Sequence, residues 1–554
     1  MPITIQVRSK TVEQTSVSKF KAILKRHVQA RCGCDFIFDE RARTVLHLEI
    51  EPGSQQDGFT IRDDDNGLIM IVGGNFRSIV YGLGKLLRTS TFAPGRFTAS
   101  SWRGTSVPQN ELRAVYFATH FFNFYHAAPV EKIVEYVEDL ALWGFNAVVV
   151  CYDMHHLTGI DTPEARRFID RLKAILTAAK ETGLRPGLTM LANEGYANSP
   201  VELRADQSFP GTRHIRGGYG VELCTSKPAG KKLALQWLGE EFQAFSSIDI
   251  ELIMLWPYDQ GGCCCPECRP WGANGFVGAA KDAAILARQY FPRAKIILST
   301  WLFDPGVDEG EWRGLTEKLS APQDWVDYIL ADSHEAFPKY PLGHGVPGNL
   351  PLLNFPEISM WGMNPWGGYG ANPLPGRFQA FWDVIRDKLS GGVLYSEGLY
   401  EDVNKIIWAQ FYWDSARTAR ETLREYVAYE FPGCNVDEVA EGIMALEEGH
   451  REFSTRKRWR LKLRSNARAQ KVANMFDRET KLLPTNIARS WRWRILCIRA
   501  SLDLERFTGK RYPNAAVKAW FDELTAIYHA QDAEGCVRPP RLETGGKKLV
   551  SKRQ

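Results

Sequence analysis

Eight short stretches of the chain carry residues able to transfer protons or stack on a ring, each just downstream of an apolar run. In chain order they are Thr119-His120 with Asn123, then Tyr152-Asp153-Met154-His155-His156, then Asn193-Glu194-Gly195. Trp256-Pro257-Tyr258-Asp259-Gln260-Gly261-Gly262 follows, then Trp301 with Asp304, and Asp332-Ser333-His334-Glu335. Glu357 with Trp361 and Trp366, and Tyr395-Ser396-Glu397-Gly398-Leu399-Tyr400-Glu401-Asp402, complete the set. Carboxylates and aromatics dominate. Carboxyls that face one another across an aromatic pocket can cleave a glycosidic bond. One protonates the leaving oxygen while another acts as nucleophile, activates water or orients a substrate group. Aromatic rings offer flat faces for sugars. No Ser-His-Asp order, HExxH or phosphate-binding loop competes with this reading.

The candidate catalytic carboxylates are Asp259, Glu335, Glu357 and Glu397. The candidate substrate contacts are His120, Asp153, Asn193, Trp256, Tyr258, Gln260, Trp301, Trp361 and Tyr395. Each has a structural alternative: Glu397 as a cap of the helix starting near Glu401, Asp259 as a loop cap, each Trp as packing under a pocket floor. His155-His156 has no third ligand at metal spacing and reads as a pair of loop histidines.

A second cluster is Cys263-x-Cys265-x2-Cys268, with Cys224 upstream as a plausible fourth. Four thiolates at ~2.3 Å would make a closed zinc site, structural because no position remains for water. Free thiols or a local disulfide are the competing readings, and Cys264 is the spare in each. The catalytic chemistry itself calls for no cofactor.

The elements that must position these residues alternate with a regular beat. Candidate strands are Leu112–Ala118, Asn146–Cys151, Arg185–Met190, Leu252–Trp256, Lys295–Thr300, Tyr328–Ala331, Leu350–Asn354 and Gly392–Tyr395, mostly separated by helical patterns. Eight such units in ~300 residues predict a (β/α)8 barrel, whose chemistry sits at the C-terminal strand ends. Residues 1–108 predict a small α/β domain, with a hairpin across Asp63–Gly67 and Phe92–Pro108 as the linker out of it. Residues 109–414 make the barrel, 415–535 a helical domain, and 536–554 a basic, disordered tail. The basic stretches Arg451–Lys471 and Arg489–Arg511 offer a surface for acidic polymer or, more simply, a solvated helix face.

Composition narrows the field. With 44% hydrophobic and 24% charged residues the chain is neither mainly disordered, coiled coil nor collagen-like. No apolar run approaches the ~20 residues of a membrane span, and a net charge of +4 is too small to argue for nucleic acid. The start, Met1-Pro-Ile-Thr-Ile-Gln-Val7, has no basic region followed by an apolar stretch, so a cytoplasmic protein acting on an imported oligosaccharide is expected. Oligomeric state leaves no signal.

Several of these segments carry a resemblance. Asp57-Gly-Phe-Thr-Ile-Arg62 and Ile79-Val-Tyr-Gly-Leu-Gly84 resemble the small domain that precedes the barrel in family-20 β-N-acetylhexosaminidases and family-67 α-glucuronidases. Leu112-Arg113-Ala-Val-Tyr116 and Tyr258-Asp259-Gln260 are similar to the same superfamily. The stretches from Trp256 to Cys268 and from Tyr395 to Asp402 resemble other bacterial glycosidase-like proteins of this layout. The resemblance implies a hydrolase cleaving a terminal sugar from an oligosaccharide, with β-N-acetylhexosaminidase-like activity as the leading expectation.

The chain also departs from the pattern. Family-20 enzymes place Asp-Glu after strand four, the Asp orienting the acetamido group and the Glu serving as acid. Asp259 matches, but Gln260 stands at the acid position, and an amide is no useful proton donor. The sugar-holding Arg after strand one is absent, with His120 nearby. In α-glucuronidases the carboxylates follow strands four, six and seven, where Asp259, Glu335 and Glu357 lie. Two alternatives follow: an inverting α-glucuronidase-like hydrolase, with carboxyls ~6.5–9.5 Å apart, or a silent carbohydrate-binding barrel. The expected assignment pairs Asp259 with Glu357 or Glu335 and leaves Glu397 to hold hydroxyls.

Overall fold

The computed structural model describes residues 2–53, 57–119, 123–207, 220–258, 261–304, 309–334, 336–358, 370–454, 462–508 and 514–529. Its centre is a closed barrel of eight parallel strands: Leu112–Phe117, Ala147–Cys151, Arg185–Leu191, Leu252–Trp256, Lys295–Ser299, Tyr328–Ser333, Leu352–Pro356 and Gly391–Ser396. The last strand pairs with the first from Gly391 opposite Leu112 to Ser396 opposite Phe117, which closes the ring. Gly391 makes that closure possible, because a Cβ there would lie 1.9 Å from the Leu112 carbonyl oxygen.

The strands are apolar almost throughout because both faces are covered. Leu112, Ala114, Tyr116, Val149, Met254, Ile297, Leu330, Leu353, Phe355, Val393 and Tyr395 fill the barrel interior. Their neighbours Val115, Phe117, Val148, Val150, Ile253, Leu255, Leu298, Ile329 and Leu394 pack outward against the helices. Period-two alternation thus divides two cores, and parallel strands bring all eight C-terminal ends to one rim.

The N-terminal domain is a six-stranded sheet in the spatial order Phe36–Phe38, Ile3–Ser9, Thr44–Ile50, Ile69–Gly73, Phe59–Asp63, Gly104–Ser106. Helices Gln14–Cys32 and Phe76–Arg88 pack with it. The expected hairpin forms, its turn held by the Asp64 carboxylate, which accepts from the backbone N–H groups of Asn66 and Leu68 at 2.9 and 2.8 Å. The stretch read as a linker is instead structured: Thr91–Ala93 pairs with Arg96–Thr98, and Gly104–Ser106 adds the sheet's last strand. Three-residue strands are too short to show alternation.

Two of the segments that carry the resemblance meet at the seam with the barrel. Buried Asp57 accepts from Arg113 at 2.9 Å, from Arg77 Nε at 2.6 Å and from Asn146 at 3.2 Å. Although burial alone would raise it, these cations hold the Asp57 carboxyl below its ordinary range.

The C-terminal region is helical, with Ala419–Glu430, Val436–Ser454, Lys462–Leu482, Trp491–Thr508 and Ala515–His529 as its main helices. Within Arg489–Arg511, three arginines are engaged in ion pairs. Arg492 pairs with Asp139 at 2.8 Å and Asp402 at 2.9 Å, Arg494 with Glu523, and Arg499 with Asp503. Asp139 also takes Arg26 of the N-terminal helix at 2.7 Å, and Arg31 of that helix pairs with Glu430 at 2.6 Å. One buried charge network therefore joins all three regions. Among the described residues no helix is long and apolar enough to cross a membrane.

Candidate active site

Beneath the C-terminal rim lies an aromatic floor. Trp256 stacks on Trp301 at 5.4 Å between ring centroids, and both meet Phe355 edge-on at 4.8 and 5.7 Å. Phe355 in turn contacts Tyr395 at 5.9 Å and Tyr116 at 6.3 Å. The period-two pattern turns Tyr116, Phe355 and Tyr395 inward from strands one, seven and eight. Trp256 and Trp301, at the ends of strands four and five, keep part of their surface exposed.

Two carboxylates converge on Tyr395. Its hydroxyl donates to Glu397 Oε1 at 2.8 Å, while Glu357 extends strand seven by one bridged position directly beside it. Burial, with the nearby charges of Glu397 and Glu357, raises the Tyr395 phenol well above its ordinary range, so the hydroxyl stays a donor. Glu357 is 3% exposed, and His334 Nδ1 stands 3.7 Å from its Oε2. The Trp301 ring meets His334 edge-on at 5.6 Å. Strands four to eight thus contribute Trp256, Trp301, His334, Glu357, Tyr395 and Glu397 to one cluster of neighbouring side chains.

The N-cap position of helix Asp402–Trp413 is Glu401, not Glu397. Glu401 turns back to brace the preceding turn: its Oε1 accepts from Ser396 Oγ at 3.0 Å and from the N–H groups of Glu397 and Gly398 at 2.5 and 2.9 Å. Buried Lys405 donates to the Gly398 carbonyl beneath the same turn. Glu401 was among the strand-end residues, but four-residue spacing alone could not show which Glu turns back to hold the backbone.

Three expected substrate contacts are held by partners within the scaffold. Asn193 is buried and pairs with Gly262 in both directions, accepting from its N–H at 3.1 Å and donating to its carbonyl at 3.2 Å. It also donates to the Leu223 carbonyl at 2.9 Å, so it locks the strand-three and strand-four loops together. Tyr258 is fully buried with its hydroxyl donating to Glu311, which also accepts from Gly272 N–H at 2.8 Å. Asp153 is buried and turned to histidines, Oδ1 toward His155 Nδ1 and Oδ2 3.5 Å from His156 Nε2. Each follows a barrel strand, and each side chain is engaged with buried polar groups. His120, Asp259, Gln260, Glu335 and Trp361 lie outside the described residues.

The Asp153 cluster was not foreseen. His155 Nδ1 faces Asp153 and Glu194 together, with Glu194 Oε1 at 2.9 Å, so the histidines do have an acidic companion two residues away. Burial would depress the His155 imidazole, but its bonds to the two carboxylates raise it to about 9. Burial, reinforced by Asp153, pushes Glu194 up to about 7 despite His155. The cluster lies near the floor: burial, with Cys151 and the charges of Asp153 and Glu194, raises the Tyr116 phenol well above its ordinary range.

A pH dependence follows. Both groups bind protons more tightly folded than unfolded, so their contribution is complete below the unfolded pKa and fades as pH rises through the folded one. For Glu194 that window runs from 4.5 to about 7, and for His155 from 6.5 to about 9. Thermal melts from pH 6 to 10 should show the wild type losing stability toward pH 9 relative to His155→Gln; parallel curves would refute the shift.

No family model matches the chain, and no curated protein matches it. Among solved structures it is similar to a family GH115 4-O-methyl-α-glucuronidase with specificity for decorated arabinogalactans, at 12% identity and TM-score 0.63. That match covers 95% of this chain and 76% of the other. A GH138 enzyme targeting pectin rhamnogalacturonan II matches at 10% identity and TM-score 0.61, over 95% and 88% of the two chains. The GH20 β-N-acetylhexosaminidase of Streptomyces coelicolor A3(2) matches at 13% identity and TM-score 0.51, over 77% and 91%. The likeness is one of fold, and it agrees with the architecture the resemblance implied.

Proposed function

We propose that this chain is a glycoside hydrolase that removes a terminal sugar from an oligosaccharide by carboxylate acid/base chemistry. The observation that carries the reading is the convergence of Glu357 and Glu397 on Tyr395 above the Trp256–Trp301–Phe355 floor. A fold shared with glycosidases of several families supports it. Glu357 is the reacting carboxylate, with Asp259 or Glu335 as its partner. Glu397, fixed by the Tyr395 hydroxyl, holds sugar hydroxyls, and the Trp256–Trp301 stack receives a face of the ring.

β-N-Acetylhexosaminide is the leading substrate, on the likeness at Tyr258-Asp259. α-Glucuronide is the second reading, favoured by the GH115 match. A panel of nitrophenyl glycosides tests both. Turnover of the β-N-acetylglucosaminide is expected; turnover confined to the α-glucuronide would move the assignment there. Binding without turnover on every sugar would leave a silent carbohydrate-binding barrel and overturn the proposal.

A further inference from the structure

The geometry points to a structural zinc site formed by Cys224, Cys263, Cys265 and Cys268, which staples the loops after barrel strands three and four to each other. The four sulfurs lie within 4.8 Å of one another. Cys224 Sγ is 3.6 Å from Cys263 Sγ and 3.8 Å from Cys265 Sγ. Four sulfurs at ~2.3 Å from one tetrahedral ion would stand ~3.8 Å apart, whereas a disulfide brings two of them to ~2.05 Å. One sulfur near-equidistant from two others suits a shared ion and not a bonded pair.

The backbone is shaped to hold this arrangement. Cys268 and Arg269 both donate their N–H to the Cys265 carbonyl, at 3.0 and 3.2 Å, which closes the Cys265-x2-Cys268 stretch into a tight turn. Cys224 is fixed by its N–H to the Leu203 carbonyl at 2.9 Å, and Gly230 lets the next helix approach, since a Cβ there would lie 2.5 Å from the Cys224 oxygen. Ser226 Oγ sits 3.0 Å from Cys224 Sγ and 3.3 Å from Cys265 Sγ, placed to donate to thiolate. Such support of the ligand atoms is the usual accompaniment of a metal site. Cys264 stays outside the cluster, its N–H donating to the Asp206 carbonyl at 2.7 Å.

Three of the four thiols are almost completely buried. Four protein ligands close the coordination and leave no place for water, so the ion is structural. Its position gives it a job: it clamps the same two loops that Asn193 locks through Gly262, directly after Asp259-Gln260 in the chain. This inference stands independently of the proposed reaction.

The test is metal analysis of the purified full-length chain by plasma mass spectrometry. A single zinc per chain is expected, lost in Cys224→Ser and Cys268→Ser and retained in Cys264→Ser. Should the serine variants fail to fold, titrating the native chain with a mercurial thiol reagent beside a zinc-sensitive dye gives a second readout, and metal release in step with thiol modification is the expected result. No metal, iron in place of zinc, or an intact-protein mass showing a disulfide among these cysteines would overturn the proposal.

Discussion

Replacing Glu357 with glutamine is expected to lower turnover by ~10²–10⁴-fold while the thermal midpoint stays close to wild type. The substitution keeps shape and hydrogen-bonding capacity but removes the group that can exchange a proton. Glu357 is the described carboxylate that combines near-complete burial, a place on the inward rim of strand seven and proximity to the aromatic floor. Glu397→Gln is the instructive comparison. If Glu397 holds hydroxyls, its loss should raise KM at least as much as it lowers kcat. A purely structural Glu357, serving only as neighbour to His334, would behave in the opposite way: stability would fall and kcat would persist. Steady-state kinetics beside calorimetry on the same preparations separates the two.

Replacing Arg492 with methionine is expected to destabilise the chain by about 3–5 kcal/mol. Arg492 is buried and pairs with Asp139 at 2.8 Å and Asp402 at 2.9 Å, with Glu430 at 3.9 Å. Methionine fills similar volume but takes from buried Asp402 its arginine, while Asp139 keeps Arg26 and Glu430 keeps Arg31. Tyr426 and Tyr136 would still donate to Asp402, which softens the loss without removing it. Arg494→Met is the control, because its partner Glu523 is part-exposed and such pairs contribute about 0–1 kcal/mol. Urea unfolding should therefore separate two arginines two residues apart. Equal, small effects would show that the network does not couple the helical region to the barrel.

The barrel was legible in the sequence because parallel strands covered on both faces leave short apolar runs, and eight of them separated mostly by helical patterns disfavour the rival, a doubly wound open sheet. All eight expected strands overlap the observed ones, from Leu112–Phe117 to Gly391–Ser396. What the runs could not show is where the next side chain turns. Asn193 and Tyr258 sit at strand ends as a substrate contact should, yet their partners, Gly262 on the next loop and Glu311 at the start of helix Glu311–Lys318, are 69 and 53 residues away. Arg492 was hidden for the same reason, since Asp139 is 353 residues distant and a lone basic stretch reads as surface. The Asp153–His155–Glu194 cluster needed strands two and three to be neighbours before Glu194 could count as a partner. The cysteines were the opposite case: three thiols on one short loop made the cluster visible, and the fold brought Cys224 to it.

On the proposed function, the rim of this barrel hydrolyses a terminal glycosidic bond. The most direct measurement is to incubate the wild-type chain with chito-oligosaccharides and acidic xylan- or arabinogalactan-derived oligosaccharides, and to quantify free monosaccharide by chromatography beside Glu357→Gln. Steady release of one terminal sugar by the wild type is expected, reduced ~10²-fold or more in the variant. Equal release by both proteins, or none from any oligosaccharide that the wild type demonstrably binds, would contradict it.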